Sequence, residues 1–141
     1  MDQKPTRTLP PEAYSVLTTV TQRYEFIAGH RLPNVPPGHR CARHHGHNYE
    51  LEVSIFGPVK PHEGWVVDFY DLDQVVCPLL KVLDHVDLND VPGLENPTAE
   101  NIAWWFLQHL QRSVLVDHCK ISKVRVYETK DCWADVEPVT K

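Results

Sequence analysis

Two apolar runs that each carry histidine constrain the fold of this 141-residue chain more than any other feature. His30 ends the first run, which begins near Tyr24, and His45 and His47 open the second. Side chains on a strand alternate between faces, so His45 and His47 share a face, and the glycine between them adds no side chain. If the two runs pair as antiparallel neighbours, His30 lies beside that pair. The pattern therefore predicts three imidazoles on one face of a sheet.

Three imidazoles on one face are typical of a catalytic zinc site. Zinc binds imidazole nitrogen at about 2.0–2.1 Å, and three histidines leave a fourth position open for water or substrate. Bound zinc lowers the pKa of a coordinated hydroxyl and stabilises an oxyanion. The alternative, that these histidines only fill strand positions, is weakened by the His-x-His pair and the third histidine. His44 is a competing ligand, but as the immediate neighbour of His45 it faces the opposite way on an extended chain.

Cys41 lies four positions before His45 and allows three interpretations. The first is a fourth zinc ligand that closes a structural site. The second is a reactive thiolate stabilised by Arg40, Arg43 and the metal. The third is an inert small residue. The polar loop around Cys41 disfavours the inert residue. The spacing alone does not decide between the other two.

The distribution of charge favours a small anionic ligand. The chain carries a formal charge of −5, which argues against a general binder of nucleic acid or membrane surfaces. Residues 26–49, however, contain no Asp or Glu but include Arg31, Arg40 and Arg43. Such a local basic region suits a phosphate ester, and the alternative is a solvated loop that happens to contain arginines.

Length and composition predict one domain with a real hydrophobic core. Residues 1–13 are polar and rich in proline, so we expect a flexible extension before a single domain over 14–141. We expect no signal peptide and no membrane-spanning run. The four cysteines form no CxxC pair, which favours free thiols in a reducing cytoplasm: Cys41, Cys77, Cys119 and Cys132.

The order of elements predicts an α+β fold. Strand patterns cover 14–29 and about 45–56, and strand patterns return at 121–128 and 132–137. Between them, helical patterns run from about 72 to 83, after the apolar segment 65–69, and from about 97 to 110. Pro78 should kink the first helix or shift its start. The order ββααββ describes a four-stranded antiparallel sheet with both helices on one face. Its two open edges must be covered, so we expect a homo-oligomer.

Two acidic groups outside the histidine runs are further candidates. Asp84 precedes His85 after the first helix, and a carboxylate can orient and charge a histidine. An ordinary helix C-terminus also favours histidine. Glu128 ends a strand on the face of Val124 and Val126. It is either a solvated strand end or a partner for the N–H groups of a ligand.

With these residues assembled, the chain resembles the family of 6-pyruvoyltetrahydropterin and 6-carboxytetrahydropterin synthases. Several ordered segments carry the resemblance: 26–33, 41–47, 65–69, 83–89, 97–101 and 126–129. Three residues separate Cys41 from His45, which is similar to the bacterial 6-carboxytetrahydropterin branch. The 6-pyruvoyl branch has a longer insertion there.

The resemblance implies a zinc-dependent lyase of queuosine biosynthesis. Its expected substrate is 7,8-dihydroneopterin triphosphate, and its expected products are 6-carboxy-5,6,7,8-tetrahydropterin, acetaldehyde and triphosphate. The alternatives are the 6-pyruvoyl activity, which eliminates triphosphate, and a structural zinc module without chemistry.

The resemblance also implies roles for the candidate residues. His30, His45 and His47 hold zinc, Cys41 is the proton-abstracting base, and His85 with Asp84 handles protons on the other side. Glu128 anchors the pterin ring with support from Thr98, and the triphosphate suits Arg31, Arg40 and Arg43. The implied fold is the tunnelling fold, in which trimers close their sheets into a barrel and two trimers stack as a homohexamer with active sites between subunits.

Overall fold

The computed structural model describes residues 17–113 and 119–139. The elements follow the predicted order ββααββ: β1 Leu17–His30, β2 His45–Pro58, α1 Phe69–Leu83, α2 Ala99–Gln111, β3 Lys120–Thr129 and β4 Cys132–Val136. Short 3-10 turns lie at Arg40–Ala42 and Leu88–Asp90. The expected extension over 1–13 lies outside the described residues.

The four strands form one antiparallel sheet in the order β1-β2-β3-β4. This confirms the predicted fold class. In the β1–β2 register His30 lies opposite His45, and Ala28 lies opposite His47. Directly opposed residues on antiparallel strands point to the same face. The register therefore places all three histidines on one face at one end of the sheet.

The core lies between that face and the two helices, because strand alternation and helical spacing turn their apolar residues toward each other. On β2 the residues that continue the histidine face are completely buried: Tyr49, Leu51, Val53 and Ile55. The apolar residues of α2 join the same core: Ile102, Ala103, Phe106, Leu107 and Leu110. Glu50 and Glu52 alternate with the buried residues of β2 and therefore lie on the opposite face.

Side chains cap both helices at their N-termini. The carboxylate of Asp68 accepts a hydrogen bond from Tyr70 N at the start of α1, and the hydroxyl of Thr98 accepts one from Asn101 N at the start of α2. Such caps satisfy backbone donors that have no partner within the helix. Pro78 lies inside α1 and does not shift its start. Within the described residues, no helix is both long and apolar enough to cross a membrane.

Candidate metal centre

The three predicted histidines converge where β1 ends and β2 begins. The Nε2 atoms of His30 and His45 are 3.0 Å apart, and the ring of His47 packs edge-on against both. His30 is buried, whereas His45 and His47 are partly exposed. The predicted convergence of three imidazoles is therefore confirmed, because the strands pair in the register that places His30 opposite His45.

Backbone carbonyls orient two of the three rings. His30 Nδ1 donates to Pro97 O at 2.8 Å, and His45 Nδ1 donates to Arg43 O at 2.7 Å. In a neutral imidazole this assignment leaves an unprotonated Nε2 on each ring. Two lone pairs that face each other form no hydrogen bond. Two zinc bonds at a tetrahedral angle would separate the nitrogens by about 3.3 Å, so the pair fits a shared metal ion.

The third histidine adds a buried nitrogen that lacks a hydrogen bond. Within the described structure His47 Nε2 is shielded from solvent and has no hydrogen-bond partner of suitable geometry. Glu128 Oε1 lies 3.2 Å away, close enough for an ion pair if the imidazole is protonated. The ligand atoms of all four residues lie within 4.8 Å of one another. A buried donor set of three nitrogens and one carboxylate fits a metal such as zinc.

Burial keeps this donor set in the form that binds metals. Loss of solvation is the largest effect on His30 and His47, and it lowers the pKa of both imidazoles. The negative charge of Glu128 acts in the opposite direction and is the smaller effect. A metal binds only the unprotonated nitrogen, so the lowered pKa values favour the ligand form near neutral pH.

Tyr49 packs against the rings of His30 and His47. It was not identified as a site residue from the sequence. Its side chain is completely buried and stacks on Phe26, with ring centroids 4.9 Å apart. Its hydroxyl lies 3.1 Å from His30 Nδ1, and burial raises the pKa of that hydroxyl. The available sequence signal was its position two residues after His47, on the same strand face.

Cys41 lies in the 3-10 turn Arg40–Ala42 of the loop between β1 and β2, and it is half-buried. Its backbone N–H donates to His39 Nδ1 at 3.0 Å, and its carbonyl accepts from Leu32 N at 2.8 Å. Among the described residues, the group of converging ligand atoms contains Glu128 instead of Cys41. The geometry thus gives no support to Cys41 as a metal ligand, one of the two interpretations that spacing left open.

Asp84 and His85 contact each other beside the edge of β1. Asp84 Oδ2 lies 3.0 Å from His85 Nδ1, and Asp84 Oδ1 accepts from Ile27 N at 2.9 Å. The Ile27 N–H and, next, His85 hold the pKa of Asp84 below its usual value. His85 has a positive φ of 60°, which is uncommon outside glycine and often marks a functional position. Among the described residues, no hydrogen bond or ion pair joins either side chain to Cys41.

The predicted substrate-binding residues lie in two places. Arg31, Arg40 and Arg43 are exposed on the loop between β1 and β2. Thr98 instead caps α2, and its hydroxyl oxygen already accepts a hydrogen bond from Asn101 N at 3.1 Å. The structure therefore shows a structural use for Thr98 and leaves its expected contact with substrate a prediction.

Three histidines and a carboxylate at the end of an antiparallel sheet define a candidate metal-binding protein of the α+β class. The family model for 6-pyruvoyl tetrahydropterin synthase matches residues 19–139. The chain belongs to this family.

Individual relatives agree with that assignment. A relative from Archaeoglobus fulgidus, provisionally named a 6-carboxy-5,6,7,8-tetrahydropterin synthase, is 38% identical over 112 residues, which cover 79% of this chain and 88% of the relative. A Pyrococcus furiosus protein named dihydroneopterin monophosphate aldolase is 36% identical over 93 residues, which cover 66% of this chain and 77% of that protein. The solved structure of Caenorhabditis elegans 6-pyruvoyl tetrahydropterin synthase is similar with a TM-score of 0.79 at 26% identity, covering 88% of this chain and 97% of the other.

Proposed function

We propose that this protein converts 7,8-dihydroneopterin triphosphate to 6-carboxy-5,6,7,8-tetrahydropterin, acetaldehyde and triphosphate. The observation that carries the proposal is the convergence of three imidazole Nε2 atoms at the open end of a sheet, beside a carboxylate. The provisional name of the Archaeoglobus relative and the three-residue spacing between Cys41 and His45 support the 6-carboxy product. The product belongs to queuosine biosynthesis in the 6-carboxytetrahydropterin branch that the sequence resembles.

The proposed cofactor is Zn²⁺, held by His30, His45 and His47. The buried nitrogens and the carbonyl-anchored rings suit zinc because imidazole is one of its preferred ligands. When bound, zinc supplies Lewis-acid stabilisation of negative charge on the hydroxyl oxygens of the substrate side chain.

The proton-transfer roles fall to Cys41, Asp84 and His85. Cys41 removes a proton from the side chain of the substrate as a thiolate, and His85 handles protons on the other side. Asp84 contacts His85 Nδ1, so it fixes the ring orientation. Because Asp84 also accepts a hydrogen bond from the backbone of β1, the pair is anchored to the sheet.

The remaining candidates bind the substrate. Glu128 accepts paired N–H groups of the pterin ring, and Thr98 supports that contact. The three exposed arginines of the β1–β2 loop bind the triphosphate through charge-assisted hydrogen bonds: Arg31, Arg40 and Arg43.

We expect the working form to be a homohexamer of two stacked trimers in the cytoplasm. The edge strands of the sheet, β1 and β4, support assembly through the strands. Among the described residues, the segment 84–87 bonds to β1 only at residues 27–29, and unpaired edge residues otherwise expose backbone donors and acceptors. None of the four cysteines, all of which lie in the described residues, forms a disulfide, which suits a reducing compartment. Among the described residues, no hydrogen bond joins the side chains of Cys41 and His85 within one chain, which is consistent with active sites between subunits.

The decisive experiment incubates the zinc-loaded protein with 7,8-dihydroneopterin triphosphate and identifies the pterin product and the released fragments. The 6-carboxy pterin with stoichiometric acetaldehyde supports the proposal. A 6-pyruvoyl pterin with triphosphate but no acetaldehyde would establish the sister activity. A 6-hydroxymethyl pterin would indicate an aldolase, which is the second candidate because a relative of 36% identity carries that name.

A further inference from the structure

His44 is the one histidine of the run His44–His47 that lies outside the metal group. Its Nε2 atom lies 3.1 Å from Asp87 Oδ2. His44 directly follows the loop that carries Cys41, and Asp87 lies two residues after His85. The contact therefore joins the two segments that the proposed function requires for proton transfer.

Gly29 in β1 leaves space for the His44 ring, and a larger side chain at this position would fill that space. A Cβ atom built on Gly29 would lie 2.6 Å from Cε1 and 3.0 Å from Nε2 of His44. Gly29 does not have a positive φ, so its backbone conformation does not itself require glycine. The missing side chain at Gly29 instead makes room for the imidazole ring beside the strand.

The segment on the other side of this contact is fixed to the same strand. Ile27 O accepts from His85 N at 2.6 Å, and Gly29 N donates to Val86 O at 3.0 Å. Gly29 and Asp87 also form a parallel bridge. The segment that carries His85 therefore runs along the edge of β1 and ends at the position where His44 meets it.

The loop between β1 and β2 is joined to this region at its start and at its end. At its start Arg31 N donates to Asn89 Oδ1, and Asn89 Nδ2 donates to Arg31 O, both at 2.9 Å. At its end, a few residues beyond Cys41, the side-chain link is the contact between His44 and Asp87. The contact at the end thus lies nearer to the thiol.

We propose that His44 and Asp87 are a positioning pair that holds the Cys41 loop and the His85 segment at the same edge of β1, so that each segment presents its proton-transfer group in the geometry required by the site it serves. The inference rests on the proposed function, in which both segments supply proton-transfer groups. A displacement of about 1 Å in a catalytic group can reduce turnover up to 100-fold. The pair acts through its geometry and not through its charge. A neutral side chain at position 44 that makes the same hydrogen bond to Asp87 therefore holds the two segments equally well.

The test removes the contact from each side. In zinc-loaded protein, His44→Ala and Gly29→Ala each lower kcat about tenfold. His44→Ala removes the imidazole ring, and the methyl group of Gly29→Ala displaces the ring from the edge of β1. The double variant is no worse than either single variant, since both abolish one interaction. His44→Gln, which keeps a donor for Asp87, restores kcat to within about twofold of wild type. His62→Ala, an exposed histidine in the loop before α1, is the matched control.

Asp87 is tested by a conservative substitution, because it also accepts a hydrogen bond from Asn89 N at 3.1 Å. Asp87→Asn keeps Oδ1 as the acceptor for Asn89 N, and its amide Nδ2 donates to His44 Nε2 in the other neutral tautomer, so the variant retains kcat. The proposal is overturned if His44→Ala loses zinc, if the losses in kcat of the two single variants multiply, or if the alanine variants turn over within twofold of wild type.

Hydrogen–deuterium exchange supplies a readout that does not depend on the substrate. His44→Ala accelerates amide exchange of residues 84–87 as well as residues 39–44, and His62→Ala changes neither. Faster exchange confined to 39–44 would show only local loosening and would overturn the pairing. A wild-type protein that gives no pterin product defeats the proposed function instead, while the exchange result still decides whether the pair couples the two segments.

Discussion

Each of the two facing histidines, His30 and His45, is oriented by one backbone carbonyl. Pro97 O and Arg43 O hold the Nδ1 atoms, so the Nε2 atoms point at each other. Partners of this kind fix the tautomer and the ring orientation of metal ligands. Within the part of the chain that the structure describes, His47 contributes a buried nitrogen with no hydrogen bond, and Glu128 lies beside it.

Substitution of Glu128 separates its two potential roles. If the carboxylate binds the pterin ring, Glu128→Gln keeps stoichiometric zinc and raises KM at least about tenfold, because a charged acceptor for two N–H groups is lost. Metal analysis and steady-state kinetics on the same preparation provide the measurement. Loss of zinc in Glu128→Gln would show that Glu128 is a ligand of the resting site.

Substitution of Cys41 distinguishes an enzyme from a structural zinc module. Because Cys41 lies outside the converging ligand atoms, Cys41→Ala should keep zinc and the folded state while turnover falls below one-hundredth of wild type, roughly the contribution of a general base. Cys132→Ala, at an exposed thiol on β4, is the control. A Cys41→Ala protein that releases zinc and unfolds would favour the structural module.

At the scale of elements, helix α2 begins beside the metal centre. Thr98 caps it, and the carbonyl of the preceding Pro97 holds His30. We expect Thr98→Ala to cost about 1 kcal/mol in the free energy of unfolding, because the N–H of Asn101 loses its acceptor. Thr98→Ser should retain most of that stability. Urea unfolding measures the stability change, and a rise in KM for Thr98→Ser would instead reveal a contact with substrate.

The hairpin of β3 and β4 is held by an ion pair across the strands. Arg125 makes two hydrogen bonds to the carboxylate of Asp135, at 2.6 and 2.9 Å, and they hold the pKa of that carboxyl below its usual value. A carboxyl with a depressed folded-state pKa stabilises the fold above its unfolded pKa of about 3.9 and loses this contribution as pH falls.

We therefore expect Asp135→Asn to lower stability at pH 7 by less than about 1 kcal/mol, since the pair is partly exposed. The difference between Asp135→Asn and wild type should shrink as pH falls below about 4, where the wild-type carboxyl becomes protonated. Thermal unfolding across pH 3–7 measures it, with Asp131→Asn in the β3–β4 turn as control. A difference that stays constant with pH would contradict the assignment.

At the scale of the whole molecule, the open edges and the separated proton-transfer groups point to assembly. Cys41 and His85 lie on different segments, and among the described residues no hydrogen bond joins their side chains within one chain. A mixture of inactive Cys41→Ala and His85→Ala subunits, dissociated and reassembled together, should regain turnover if each site uses residues from two chains.

Sedimentation of the wild type should give six times the mass of one chain, and each variant alone should remain inactive. No recovery of turnover in a mixed oligomer would place both residues in the same subunit. A monomeric wild type would contradict the predicted assembly itself.

The sequence by itself determined the order of elements, the face that carries the histidines and the separation of His44 from them. These features depend on local rules, because strand and helix periodicity fix which side chains share a face. Where they fall on described residues, the boundaries were predicted to within a few residues, and Thr98 caps α2 at the predicted helix start.

Only the tertiary structure decided the rest. The contacts from Pro97 to His30, from Glu128 to His47 and from His44 to Asp87 join residues that are distant in the chain. They depend on strand register, on the packing of α2 and on the path of the segment after α1. The sequence left Cys41 between ligand and base, and the fold placed Glu128, not Cys41, beside the three histidines. Spacing along a chain limits which atoms can meet, whereas packing determines which of them do.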